Sequence, residues 1–319
     1  TPDESRLIHT ARQVNDYKPQ WVIEKVKLAV TEFLSKQNTL RPGFSWRKGY
    51  GSAGVDGFNF MVNSAVPIND KTEVYAFGGR NFRDTNAYAF SRDSFNDGDN
   101  RSVPSLYPNG FTPRITSLIT DVSISAGVRH EMQNGWNVDF NNTYGKNNFH
   151  YYIKGSNNAS MQNASPTDFD AGGHSLSQNT TGVDFNKYFE EVASGINLAF
   201  GMEFRTENFL IFSGEEASYA LYDINGLAVT NPQTQTVAFD SNGDDLPGGS
   251  QGFPGYSPDN EINRGRTNVG IYADTEINLT DNFLAAVALR YENYSDFGST
   301  FNYKLASRLK VSNDLSLRG

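Results

Sequence analysis

The sequence predicts an all-β chain: a partial antiparallel up-and-down transmembrane β-barrel, roughly nine to ten strands of a larger barrel, with a short N-terminal α-helix before it. Three observations carry this. From about residue 50 the apolar residues recur at every second position, which places them on one face of a strand. The connections between such segments alternate between short turns and long polar stretches, as in barrels with short turns on one side of the membrane and long loops on the other. The segments are also long, roughly 15 to 20 residues, where soluble strands peak at about 5 to 6.

The first 40 residues stand apart. Pro19 suits the first turn of a helix, where its fixed φ and missing N–H do no harm. Val22, Ile23, Val26, Ala29, Val30, Phe33 and Leu34 then recur at helical spacing, with Lys25, Lys27, Glu32 and Lys36 between them. The spacing predicts an amphipathic helix over 19–36, stopped by Pro42 and Gly43. The domain division that follows is 1–40, a helical segment of foreign character, and 41–319, the barrel part.

Beyond it the period is two. Leu118, Val122, Ile124, Ala126 and Val128 oppose Ser117, Asp121, Ser123, Ser125 and Arg129. Trp136, Val138, Phe140 and Tyr144 oppose Asn137, Asp139, Asn141 and Thr143. Ile196, Leu198, Phe200, Met202 and Phe204 oppose Asn197, Glu203 and Arg205. In 267–280 the apolar face is Val269, Ile271, Ala273, Ile277 and Leu279, and its parity continues through 283–291 and 301–311. Segments such as 113–132, 136–153 and 196–213 are the long ones that contrast with soluble strands. Turn residues that tolerate positive φ join them at Asn69-Asp70, Gln133 to Gly135, Glu190 to Gly195, Asp281-Asn282 and Asn313-Asp314. Long polar connections cover roughly 91–113, 155–178 and 215–263.

Composition narrows the functional classes. No run approaches the ~20 apolar residues of a spanning helix, and the mean hydropathy is negative, yet barrel strands show lipid only every second side chain. The chain holds 16 Tyr and 23 Phe, a supply suited to aromatic girdles. A formal net charge of -9 argues against a nucleic-acid partner, which calls for clustered cations. With no Cys, disulfides and thiolate zinc sites are excluded.

The stretches Arg266 to Asp274 (RTNVGIYAD), Leu279 to Phe283 (LTDNF) and Ala288 to Gly298 (ALRYENYSDFG) resemble the barrel of TonB-dependent receptors. So do Asn302 to Arg308, Leu315 to Gly319, and Gly249 to Gly255 (GSQGFPG) in the preceding long connection. The resemblance covers roughly 50–319. It implies an outer-membrane location, a complete barrel of roughly 22 strands around a plug, and import of a scarce nutrient such as an iron chelate, cobalamin or a glycan. The partners it implies are outer-membrane lipid, the imported small ligand, and a TonB complex acting through a plug that is not recognisable here. No cofactor is expected. A chain of about nine strands has two open edges, so alone it is expected to aggregate rather than close.

Ser5 to Lys27 resembles a helical stretch of UDP-N-acetyl-D-mannosamine dehydrogenase, an NAD-dependent nucleotide-sugar enzyme, over about residues 1–37. That family's catalytic Cys has no counterpart in a chain without Cys, so no enzymatic activity is expected. The alternatives are an NAD-dependent enzyme piece defined by residues 1–37 and a soluble glycan-binding β-protein.

Candidate site residues lie in the long connections. Arg101, Tyr107 and Phe111 in one, and Tyr219, Tyr222, Phe253 and Tyr256 in another, pair amphipathic rings with polar groups suited to ligand capture; the competing reading is that they pack the loops together. Asp240, Asn242 and Asp244 place oxygen ligands at alternating positions, as a calcium loop does, without the Glu that normally completes one. His9, His130, His150 and His174 have no metal-ligand spacing, and Glu190-Glu191 and Glu215-Glu216 read as exposed. Trp136, Tyr144, Tyr291 and Tyr294 suit the membrane interface. Arg129, Asp139, Glu203, Arg205, Arg290 and Glu292 are expected on a lumen face of mixed sign.

Overall fold

The computed structural model describes residues 53–94 and 100–319. The helix expected over 19–36 lies outside the described residues. The rest is one sheet of ten antiparallel strands, each hydrogen-bonded to the next in sequence order: β1 Gly54–Asn69, β2 Thr72–Tyr88, β3 Arg114–Glu131, β4 Asn137–Lys154, β5 Asp168–Phe189, β6 Ile196–Phe212, β7 Ile262–Thr280, β8 Phe283–Tyr294, β9 Gly298–Lys310 and β10 Ser316–Arg318. β1 and β10 are the edges of this unclosed, up-and-down sheet, the wall of a partial barrel.

The register aligns the alternation of every strand. One row of directly opposed residues runs Val66, Val74, Val128, Phe140, Val183, Met202, Ile271, Tyr291, Phe301 across nine strands. Phe140, Met202 and Ile271 remain at least half exposed, since this face turns to lipid. The next row, one residue along each strand, is Glu73, Arg129, Asp139, Asp184, Gly201, Tyr272, Arg290, Asn302. A one-residue slip would exchange the two rows, so the register is set by what each face must touch.

The polar face is held by its own bonds. Arg129 pairs with Asp139 at 3.0 Å and Glu73 at 3.5 Å. It also lies 4.1 Å over the Tyr75 ring, whose hydroxyl donates to Asp139 at 2.8 Å. Arg290 reaches Glu292 at 2.9 Å and Glu203 at 3.5 Å, and Arg205 also holds Glu203. At the short-turn end, Trp136 meets Phe200 and Phe189 edge-on, an arrangement suited to a membrane-interface ring.

Two connections differ from the sequence expectation. The long connection read as 155–178 ends at 167, because β5 begins at Asp168. A bulge keeps that strand paired: His150 faces Gly173 but Tyr152 faces Asp170, so β5 carries one extra residue. Gly172 makes this feasible with φ +74, and a Cβ there would sit 2.4 Å from the Phe212 carbonyl oxygen. The short-long alternation also fails once. Only 295–297 joins β8 to β9, on the side where the other connections are long.

Candidate functional site

The long-connection end of the sheet carries the only buried apolar cluster among the described residues. Ile153 and Phe169, opposed across β4 and β5, are 0% and 2% exposed. Ala171 joins them, with Ile115, Tyr151, Ala217 and Phe253 packed around. The bulge at Gly172 decides this. In a regular ladder Phe169 would share the parity of lipid-facing Val183; the bulge takes up the extra residue, and the ring turns under the loop that follows β6.

That loop carries a short helix, α1 (Glu216–Tyr219). It is pinned to the strand beneath by Glu215 N–H donating to the Asp170 carbonyl at 2.9 Å and Tyr256 N–H to the Ala171 carbonyl at 3.0 Å. Burial holds the Glu215 carboxyl above its usual range, and the nearby Asp170 charge adds to this.

Three connections then interlock through side-chain amides and hydroxyls. Ser156, Asn157 and Asn158 have no exposed surface. Asn158 Nδ2 donates to the carbonyls of Ala217 at 2.9 Å and Ala220 at 2.8 Å, while its Oδ1 accepts from Ser160 Oγ at 2.7 Å. Asn157 Nδ2 donates to the Arg101 carbonyl at 3.0 Å. Ser156 Oγ donates to the Gln251 carbonyl at 2.8 Å, and Arg92 Nε donates to Gln251 Oε1 at 2.9 Å. Backbone donors and acceptors that water would otherwise serve are thus satisfied within the protein.

Most of the sequence-marked aromatics belong to this packing. Tyr107 stacks on buried Phe111 at 4.4 Å and donates its hydroxyl to the Ser156 carbonyl at 2.9 Å. Its burial raises the phenol pKa above the ordinary value. Tyr222 is buried beside α1, its backbone N–H donating to Ser160 Oγ at 3.0 Å. Phe253 meets Tyr151 at 5.0 Å and Tyr256 at 5.8 Å. Tyr219 is half-buried and Arg101 exposed. The structure therefore brings the two aromatic groups into one assembly, with Tyr107, Phe111, Tyr222 and Phe253 turned into its interior. Sequence reasoning passed over Ser156, Asn157 and Asn158, which with Gln251 join the three connections; Ser-Asn-Asn in a polar stretch reads as an exposed turn.

Asp240 sits at a turn where its Oδ1 accepts from the backbone N–H groups of Asn242 and Asp244, both at 2.9 Å. This is the short-range bonding for which Asp is favoured in turns. Among the described residues, no three His, Asp or Glu side chains are grouped to hold a metal ion. His150 pairs with Asp170 at 2.8 Å and with the Tyr152 hydroxyl at 3.2 Å.

The family model for the TonB-dependent receptor-like β-barrel matches residues 44–319. Among solved structures, the siderophore receptor PirA from Acinetobacter baumannii is 14% identical with a TM-score of 0.48, over 83% of this chain and 33% of that one. The FpvAI–pyocin S2 complex gives 13% identity and a TM-score of 0.46, over 82% of this chain and 34% of that one. The chain thus spans about a third of the length of these structures. Separately, UDP-N-acetyl-D-mannosamine dehydrogenases of Salmonella typhimurium and Escherichia coli are 59% identical over 34 residues, which is 11% of this chain and 8% of theirs.

Proposed function

Because the chain belongs to the TonB-dependent receptor β-barrel family, we propose that it supplies barrel wall and ligand-facing outer loops to a receptor that imports a scarce nutrient. It is an outer-membrane β-barrel chain, and neither its family nor its fold is enzymatic. The observation that best supports the import reading is the interlocked loop assembly. It is pre-organised before any ligand arrives, which lowers the ordering cost of binding. Beneath it lies a face of mixed charge, suited to a polar occupant of the lumen such as a plug. Energy would come from an inner-membrane TonB complex acting on that plug.

Deleting the gene from its source organism tests this. Growth limited by one nutrient class, whether ferric chelate, cobalamin or oligosaccharide, should slow and be restored by the gene. Unchanged growth on all three, with the protein present in carbonate-washed outer membranes beforehand, would overturn the import reading.

The 34-residue match favours a second reading, a contribution to nucleotide-sugar oxidation. Calorimetry of the full chain with NAD decides it, and the expected result is no binding heat.

A further inference from the structure

We propose that the outer loops carry a subsite for a neutral polyhydroxy ligand, a mono- or disaccharide unit. This deepens the receptor reading and rests on it. A hollow of about 510 Å³ opens between residues 100–105, 159–163 and 239–246, within the roughly 300–1,000 Å³ typical of small-molecule sites. It is distinct from the buried packing beside it.

Its lining is amide and hydroxyl. Asn100, Gln162, Asn163 and Ser241 present both donors and acceptors. The Gln162 amide and Ser241 hydroxyl have no partner among the described residues, so both are free to bond a ligand. Phe239 lies at the edge with 67% of its surface exposed. A ring left open beside amides suits the C–H face of a sugar, which buries apolar area while the hydroxyl rim stays hydrogen-bonded.

Asp240 is the single charged residue among the described lining. Its Oδ1 is used by the turn, and its second oxygen is left to accept from ligand hydroxyls. With no Lys or Arg in that lining, an anionic chelate would meet an uncompensated carboxylate, whereas a neutral polyol would not. Gln162 also holds a backbone conformation uncommon for a residue with a Cβ, φ 49 and ψ -130, inside the turn Ala159–Ala164. Such strain persists where surrounding structure enforces it and gathers at binding sites.

Outer-membrane vesicles bearing the full chain, titrated with maltose, cellobiose and chitobiose and separately with ferric citrate, test the proposal. At least one disaccharide should bind. Phe239→Ala should weaken it at least tenfold, and Asp240→Asn, which keeps an Asx turn, at least threefold. If no disaccharide binds while ferric citrate does, this inference falls and the receptor reading stands. If a disaccharide binds equally well to Phe239→Ala, the site is elsewhere and the inference falls.

Discussion

Strand β4 passes through two environments that are stabilised differently. Near its start, Phe140 leaves 57% of its surface open on the lipid side, and backbone ladders to both neighbouring strands hold the segment. At its far end Ile153 is wholly buried, and the residues just past it, Asn157 and Asn158, bond carbonyls 56 to 62 positions away in sequence. The wall depends on a repeated pattern in which any one apolar residue resembles its neighbours. The loop assembly depends on individual amides, each with its own assigned carbonyls. Damage to the wall should therefore depend on face and depth, whereas damage to the loops should depend on which bond is lost.

The largest expected effect is on the wall. Val183→Arg would place a cation in the lipid-facing row at a cost of about 2–4 kcal/mol, and should sharply lower the carbonate-resistant outer-membrane fraction. Thr180→Arg, on the opposite face of β5, should leave that fraction near normal. Equal losses from both would break the two-face account.

Asn158→Leu comes next. It leaves the Ala217 and Ala220 carbonyls buried without their donor, at about 1–3 kcal/mol each. Protease cleavage within 213–261 should rise, with hydrogen exchange in β2 to β4 unchanged. Tyr107→Phe removes a single bond to the Ser156 carbonyl, worth about 1 kcal/mol. The same protease assay should register a smaller rise.

The smallest effect concerns pH. Glu261, just before β7, accepts from Ser213 Oγ at 2.6 Å and from Ser213 N–H at 3.1 Å, closing the base of the loop. These bonds hold its carboxyl below the ordinary range. A carboxyl depressed in the folded state adds stability above its unfolded pKa and loses it as pH falls through the folded one. Loop protection should weaken slightly on acidification below that range, and Glu261→Gln should flatten the dependence.

The wall was legible in the sequence because a period of two survives any register. The expected segments 113–132, 136–153 and 196–213 match β3, β4 and β6 to within a residue or so. The loop assembly was legible only as composition. Tyr107, Phe111, Tyr222 and Phe253 were marked either for ligand capture or for packing the loops together, and their rings are seen in packing contacts. The partners of Asn157 and Asn158 follow no spacing that a linear pattern reveals. Nor did alternation disclose where β5 begins, since a bulge interrupts the parity that the reading relied on.

That bulge separates two phases along one strand. Below Gly172, odd-numbered residues of β5 look to the bilayer; above it, Phe169 looks the other way. Pairing every residue here without a bulge would bring the upper segment into step with the lower, turning an aromatic ring out into water and emptying the space beneath α1, whereas deleting the extra residue would keep Phe169 opposite Ile153. Changes confined to the upper phase, by contrast, leave the membrane belt in step. Loops can then diversify in length and chemistry on a wall that need not change with them.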